Sequence, residues 1–197
     1  MWVFTAIYLF IVIGVYGVNF WLPSIIKATG VQSFLMVGLI TAIPYAISVG
    51  VMIIATRHAE RTNEKRWHAT VASILGGIGL ILSAYFADNT VLTVIFITFA
   101  IAGSLTAMAL FWSFPGSMLT GAAVAAGIAA INSAGNLGGF FGPSLLGWLT
   151  TWLGNSNAGL AALGGLMIVA GVLIAATCRN YGLRREEGGF ATLAAAH

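Results

Sequence analysis

The chain has 197 residues, of which 59% are hydrophobic and 7% charged, with a formal net charge of +3. A soluble domain is about one quarter charged, so this composition excludes a water-soluble globular fold, and a mean hydropathy of +0.99 points to an integral membrane protein. The basic balance lies in two short patches and does not by itself imply a nucleic-acid partner.

A helix needs roughly 20 apolar residues to cross the hydrocarbon core, and six stretches qualify. The first covers about Trp2–Ile26. It lacks a basic leader region and a small-residue cleavage site, and the chain reads as if its start were missing. Tyr16 and Asn19, three apart, are neighbours on one face of this helix, which ends in Phe20-Trp21-Leu22-Pro23. The second span, about Ser33–Thr56, holds Pro44 and Tyr45 near its middle, where the proline predicts a kink. The third and fourth cover about Trp67–Phe86 and Thr90–Trp112. The fourth ends in Phe111-Trp112-Ser113-Phe114-Pro115, an echo of the end of the first. Interrupted helices at matching repeat positions mark sites and gates, so both ends are expected to flex at the mouths of one cavity.

The fifth span, about Ala122–Thr151, carries INSAGNLGGFFGP at residues 131–143. Asn132 and Asn136 are one turn apart, and with Gly135 and Gly139 they fall in an arc of roughly 100°. Gly135-xxx-Gly139 and Gly138-xxx-Gly142 permit close helix contact. Pro143 removes a bond to the carbonyl of Gly139 and predicts a kink there. These amides either line a wet cavity or glue helices together, and both readings stay open at this point. The sixth span covers about Ala158–Cys178. Cys178 is the one cysteine, so no intrachain disulfide is possible.

The charges avoid these spans. Arg57, Arg61, Lys65 and Arg66 follow the second span, and Arg179, Arg184 and Arg185 follow the sixth. With six spans both segments share a side, and the basic excess makes that side cytoplasmic. The expected organisation is a six-span bundle over residues 1–180 and a mobile cytoplasmic tail over 181–197. Trp2, Trp21, Trp67, Trp112 and Trp152 lie at span ends, as an interfacial aromatic belt does.

Three stretches together, GVYGVNFWLPSIIK, AIPYAISVGVMIIATRHAERTNEKRWH and FWSFPGSMLTGAAVAAGIAAINSAGNLGGFFGPSLLGWL, resemble the C-terminal six helices of the major facilitator superfamily, in its anion:cation symporter branch. The resemblance implies an all-α membrane fold, six transmembrane helices in a three-plus-three inverted repeat forming half of a carrier, in a bacterial inner membrane. It implies that Glu60, Arg61, Lys65 and Arg66 form the family's charged loop, with Asn63 where glycine is usual. It further implies that Trp112, with Ser113, and Asn132, with Asn136 one turn on, contact a small organic anion, and that Tyr16 and Asn19 line the same cavity. Tyr45 joins this set as a residue for ligand contact or for packing.

None of the six spans contains Asp, Glu, Lys, Arg or His. A proton-coupled anion carrier needs such groups, and in the resembling family they sit on the N-terminal helices. The expected function is therefore the C-terminal half of a secondary carrier of small organic anions, coupled to protons only when joined to an N-terminal half. The alternative is a non-transporting interaction module or remnant, with a homodimeric six-span carrier as a third reading. Expected partners are the lipid bilayer, the organic anion, and the missing half or a second copy, with no nucleic acid. No cofactor, metal or catalytic set is indicated, since there is no H-E-x-x-H, metal-spaced cluster or nucleophile–base pair.

Overall fold

Each apolar stretch becomes a helix, and in three cases the residue before it supplies the cap. A computed structural model of the chain describes residues 1–118 and 122–178. Its helices are α1 (Trp2–Ala28), α2 (Phe34–Arg61), α3 (Lys65–Tyr85), α4 (Thr90–Phe111), α5 (Ser113–Met118), α6 (Ala122–Gly135), α7 (Gly138–Leu153) and α8 (Asn157–Thr177). The side chains of Ser33, Glu64 and Asn89 accept bonds from the backbone N–H of Met36, Trp67 and Leu92, at 3.5, 3.1 and 3.1 Å. Each satisfies one of the free donors of a first turn. Gly154 ends α7 at φ +75°, a left-handed cap that costs glycine nothing.

The protein is thus an all-α membrane protein with six helices long and apolar enough to cross a membrane. Thr90–Gly116 and Val124–Leu153 each count as one span, so α4 with α5, and α6 with α7, make two of the six. The tail 181–197 lies outside the described residues.

Three details differ from the sequence reading. First, α2 continues to Arg61 and α3 starts at Lys65, so Arg57, Glu60 and Arg61 ride on the last turns of a long helix and not on a loop. Second, the two matched ends behave differently. The ladder breaks at Trp112 between α4 and α5, whereas α1 runs through Pro23 without interruption, as α2 does through Pro44. Third, the fifth span is interrupted at Asn136–Leu137, a break that the sequence reading did not expect, while Pro143 lies within α7. Low-propensity Gly135, Asn136, Gly138 and Gly139 crowd the break, and three-residue turns bridge it: Leu137 N–H donates to the Ala134 carbonyl, and Gly139 N–H to that of Asn136, at 3.3 and 2.9 Å.

Helices in lipid gain little from hiding apolar surface from each other, so close contact of small residues carries the packing. α3 packs most closely on α8 and α4. At the α3–α8 crossing, Gly77 and Gly164 face each other reciprocally: a Cβ on either would stand 2.5 Å from the other's carbonyl oxygen. α1 lies across the middle and touches α2, α4, α6, α7 and α8. Leu163 and Met167 of α8 fill the hollows over its Gly17 and Gly14.

The end of the bundle bearing residues 57–66 is tied by side chains. Asn63 adopts φ +53° in the turn between α2 and α3, the only non-glycine at positive φ among the described residues. Lys65 Nζ donates to Ser113 Oγ at 3.2 Å. Arg66 donates from Nε (2.9 Å) and Nη2 to the carbonyl of Ala175 in the last turn of α8, placing a cation at a helix C-terminus. Cys178, just beyond α8, is buried, which pushes its thiol pKa up despite the opposing Thr177 contact and Arg66 charge.

Candidate functional site

α2 and the α6–α7 span are the least buried of the six spans, at 17% and 22% of their apolar windows. Both flank α1, which contributes a stripe of exposed residues that includes Tyr16, Asn19 and Phe20. The candidate residues gather on and beside this open, uncharged face.

Toward the basic end they meet around a residue that the sequence reading did not single out. Tyr8 of α1 is buried, stacks on Phe111 at 5.2 Å between ring centroids, and meets Trp112 edge-on at 4.7 Å. Its hydroxyl donates to Asn132 Oδ1 in a long bond of 3.4 Å. The same oxygen accepts Asn136 Nδ2 at 3.0 Å, one turn on. Tyr8 fits because Gly135 has no side chain: the ring occupies the space a Cβ would need. Asn132 and Asn136 are themselves exposed, so their remaining donors and acceptors face outward from the chain. Asn132 thus ties α6 to α1 through Tyr8 while itself remaining exposed. Tyr8 had only a weak signal in the sequence, since it lies eight residues before Tyr16 and about 80° round α1 from it.

Further along α1, Tyr16 stands over Gly139, whose Cβ position lies 3.7 Å from the ring. The arc of small residues on the fifth span therefore seats two tyrosines of α1, at Gly135 and at Gly139. Asn19 Oδ1 accepts the Tyr45 hydroxyl at 2.7 Å, which joins α1 to α2. Trp21 Nε1 donates to the carbonyl of Pro143 at 3.2 Å, which joins α1 to α7. Gly138 and Gly142 of α7 lie directly on the backbone of Leu9, Ile13 and Gly17 of α1.

Two expected members are placed differently from the rest. Ser113 turns toward Lys65 at the basic end. Trp112 is half-buried against Tyr8 and Phe111. Among the described residues no group of three or more His, Cys, Asp or Glu can hold a metal.

A six-helix membrane bundle with an uncharged, amide-bearing open face has the make-up of a transporter component. Comparison with known proteins agrees. The chain is 38% identical over 176 residues to a provisionally named tartrate transporter of Agrobacterium vitis, covering 89% of this chain and 40% of the relative. It is 37% identical over 166 residues to a quinolone resistance transporter of Acinetobacter baumannii, covering 84% and 38%. It is 30% identical over 175 residues to the inner membrane transport protein RhmT of Escherichia coli K12, covering 88% and 40%. No family model matches the chain. The chain is a relative of bacterial membrane transporters and spans about two fifths of their length.

Proposed function

We propose that this chain is the C-terminal half of a secondary active transporter for small organic anions, carboxylates and sugar acids, of the major facilitator kind. In this reading the open face of α1, α2 and α6–α7 meets an N-terminal six-helix half that brings the ionisable groups. Proton coupling arises only in the joined protein, and the end bearing residues 57–66 faces the cytoplasm. The observation that carries the reading is the exposure of Asn132 and Asn136 on a face that no other described residues cover. Carboxamides there can donate to a carboxylate and accept from hydroxyls. The aromatic rings of Tyr8, Tyr16 and Trp112 offer flat apolar walls beside them. The name of the Agrobacterium relative, which refers to a dicarboxylate, supports the substrate class.

A second reading, a membrane interaction module without transport, is favoured by the fact that Tyr8, Asn132 and Asn136 already bond one another, as do Asn19 and Tyr45. The two readings separate on one experiment. The chain is reconstituted with an N-terminal half taken from a relative, and uptake of labelled tartrate and hexonates into vesicles is measured. Asn132→Ala should raise KM about tenfold, equivalent to about 1.4 kcal/mol of binding, with assembly unchanged. Unchanged uptake in that variant would return Asn132 to the packing of helices, and absence of uptake from the reconstituted unmodified pair would favour the module.

A further inference from the structure

We infer that the gap between α2 and α3 is a binding site for one anionic phospholipid, separate from the open face. α2 leans on α4 and makes little contact with α3, which leaves a cavity of about 410 Å³ between them. Its walls are Val51 and Ala55 of α2 and Val71 of α3, and its floor is Phe99, Ala102 and Thr106 of α4. A second hollow of about 320 Å³ shares Val51, Phe99 and Ala102 and carries the groove on toward Ile95. From Ile95 to Thr106 the groove runs about 16 Å along α4 at 1.5 Å per residue. That is the shape and surface of a slot for an acyl chain.

Three features show that the occupant is more than a loose annular tail. Thr106 is 3% exposed, lines the cavity, and its hydroxyl has no partner within the protein. A buried donor without an acceptor is costly. Water is a poor remedy because the surrounding walls are hydrocarbon and offer it too few further polar partners. An ester carbonyl at the head of an acyl chain would accept the bond once the hydroxyl, shielded in its present rotamer, turns into the slot. Thr106 lies about one and a half turns from the end of α4, on the half of the helix nearer the basic end.

At the mouth, His68 lines the cavity beside Trp67, a residue type that settles at headgroup level. His68 and His58 share a bond at 2.7 Å, and the other His68 ring nitrogen meets the carbonyl of Glu64. His58 lies three residues beyond Ala55, on the groove side of α2, and exposed Arg61 lies within about 80° of that side. Residues 57–66 carry four basic and two acidic groups, a net +2. A phosphate at the mouth therefore meets Arg61 beside the histidine pair, while its acyl chain lies in the slot and its ester reaches toward Thr106.

The test uses the full chain, purified in detergent, stripped of lipid and incubated with dioleoyl phosphatidylglycerol or dioleoyl phosphatidylcholine. Native mass spectrometry then counts lipids retained per chain, and circular dichroism and gel filtration check the fold. One phosphatidylglycerol per chain is expected, at severalfold higher occupancy than phosphatidylcholine. Ala55→Phe, which fills the slot, should abolish retention of both. Ala102→Leu, filling it from the α4 side, serves if Ala55→Phe does not fold. Arg61→Gln should erase the headgroup preference while one lipid remains, and Thr106→Val should lower occupancy severalfold. Unaltered retention in a folded slot-filling variant would overturn the site, as would failure of the unmodified chain to hold either lipid. Equal retention of the two lipids by the unmodified chain would overturn the anionic assignment.

Discussion

At the scale of single residues, Asn63 shows how one backbone angle sets a substitution pattern. The turn between α2 and α3 needs φ +53° at this position, and Glu64 N–H then returns to the Ala59 carbonyl at 3.1 Å. Asparagine enters the left-handed region more readily than most residues, and a β-branched side chain enters it least. Asn63→Val should therefore lower stability in detergent by about 1–2 kcal/mol, and Asn63→Gly by clearly less, as read from thermal unfolding. Equal losses would mean that the side chain's contacts, and not the backbone angle, select asparagine here. Tyr8 carries a different lesson. Its place in the sequence marks at most a face of α1, and only the fold brings it to Asn132, 124 residues away.

At the scale of elements, hydropathy alone delimits the six spans to within a few residues, because a helix that crosses lipid must be apolar along most of its length. Long-range contacts set what happens inside them. Pro143 and Gly139 direct attention to a kink near residue 143, but the ladder fails earlier, where four weak helix formers meet and Asn136 can bond back to Asn132. With α7 restarting at Gly138, Pro143 falls just beyond the first turn and removes only one bond. The small-residue spacing was legible as a contact, and the partner was not: Gly138 and Gly142 choose α1, while a reciprocal glycine pair, Gly77 with Gly164, joins α3 to α8. Gly164→Leu should separate that pair and cost several kcal/mol, beyond the usual 1–3 for overpacking, because the obstacle is backbone and not a movable side chain. Gly165→Leu, next to it but facing open space, should be almost silent in the same melting experiment.

At the scale of the whole molecule, two kinds of surface divide the work. One core surrounds Leu80, Ile97, Leu163 and Met167, all wholly buried, and holds α1, α3, α4 and α8 together. The face made by α2 and α6–α7 holds little within the chain: Leu39 is 56% exposed and Phe140 is 70% exposed. Leu163→Ala should lower stability by about 2–5 kcal/mol, whereas Phe140→Gln should leave the melting temperature of the isolated chain nearly unchanged. A large loss from Phe140→Gln would show that this face is an internal contact. The sequence could announce a neutral bundle, since no ionisable residue interrupts the apolar runs. Which helices stay uncovered depended on the order of packing around α1, and no local pattern encodes that.

The gap at Asn136–Leu137 has a mechanical outcome. A continuous rod passes any twist from one end to the other, but this one has a swivel at mid-membrane. Its far segment is bolted to α1 by backbone-to-backbone contact, while its near segment meets α1 through the ring of Tyr8 and the buried Ile131. The carboxamides of Asn132 and Asn136 ride on the near segment and at the swivel itself. A rotation of the near segment at the joint would re-aim both carboxamides, and it would have to break the Tyr8–Asn132 bond as well as the turns at the joint.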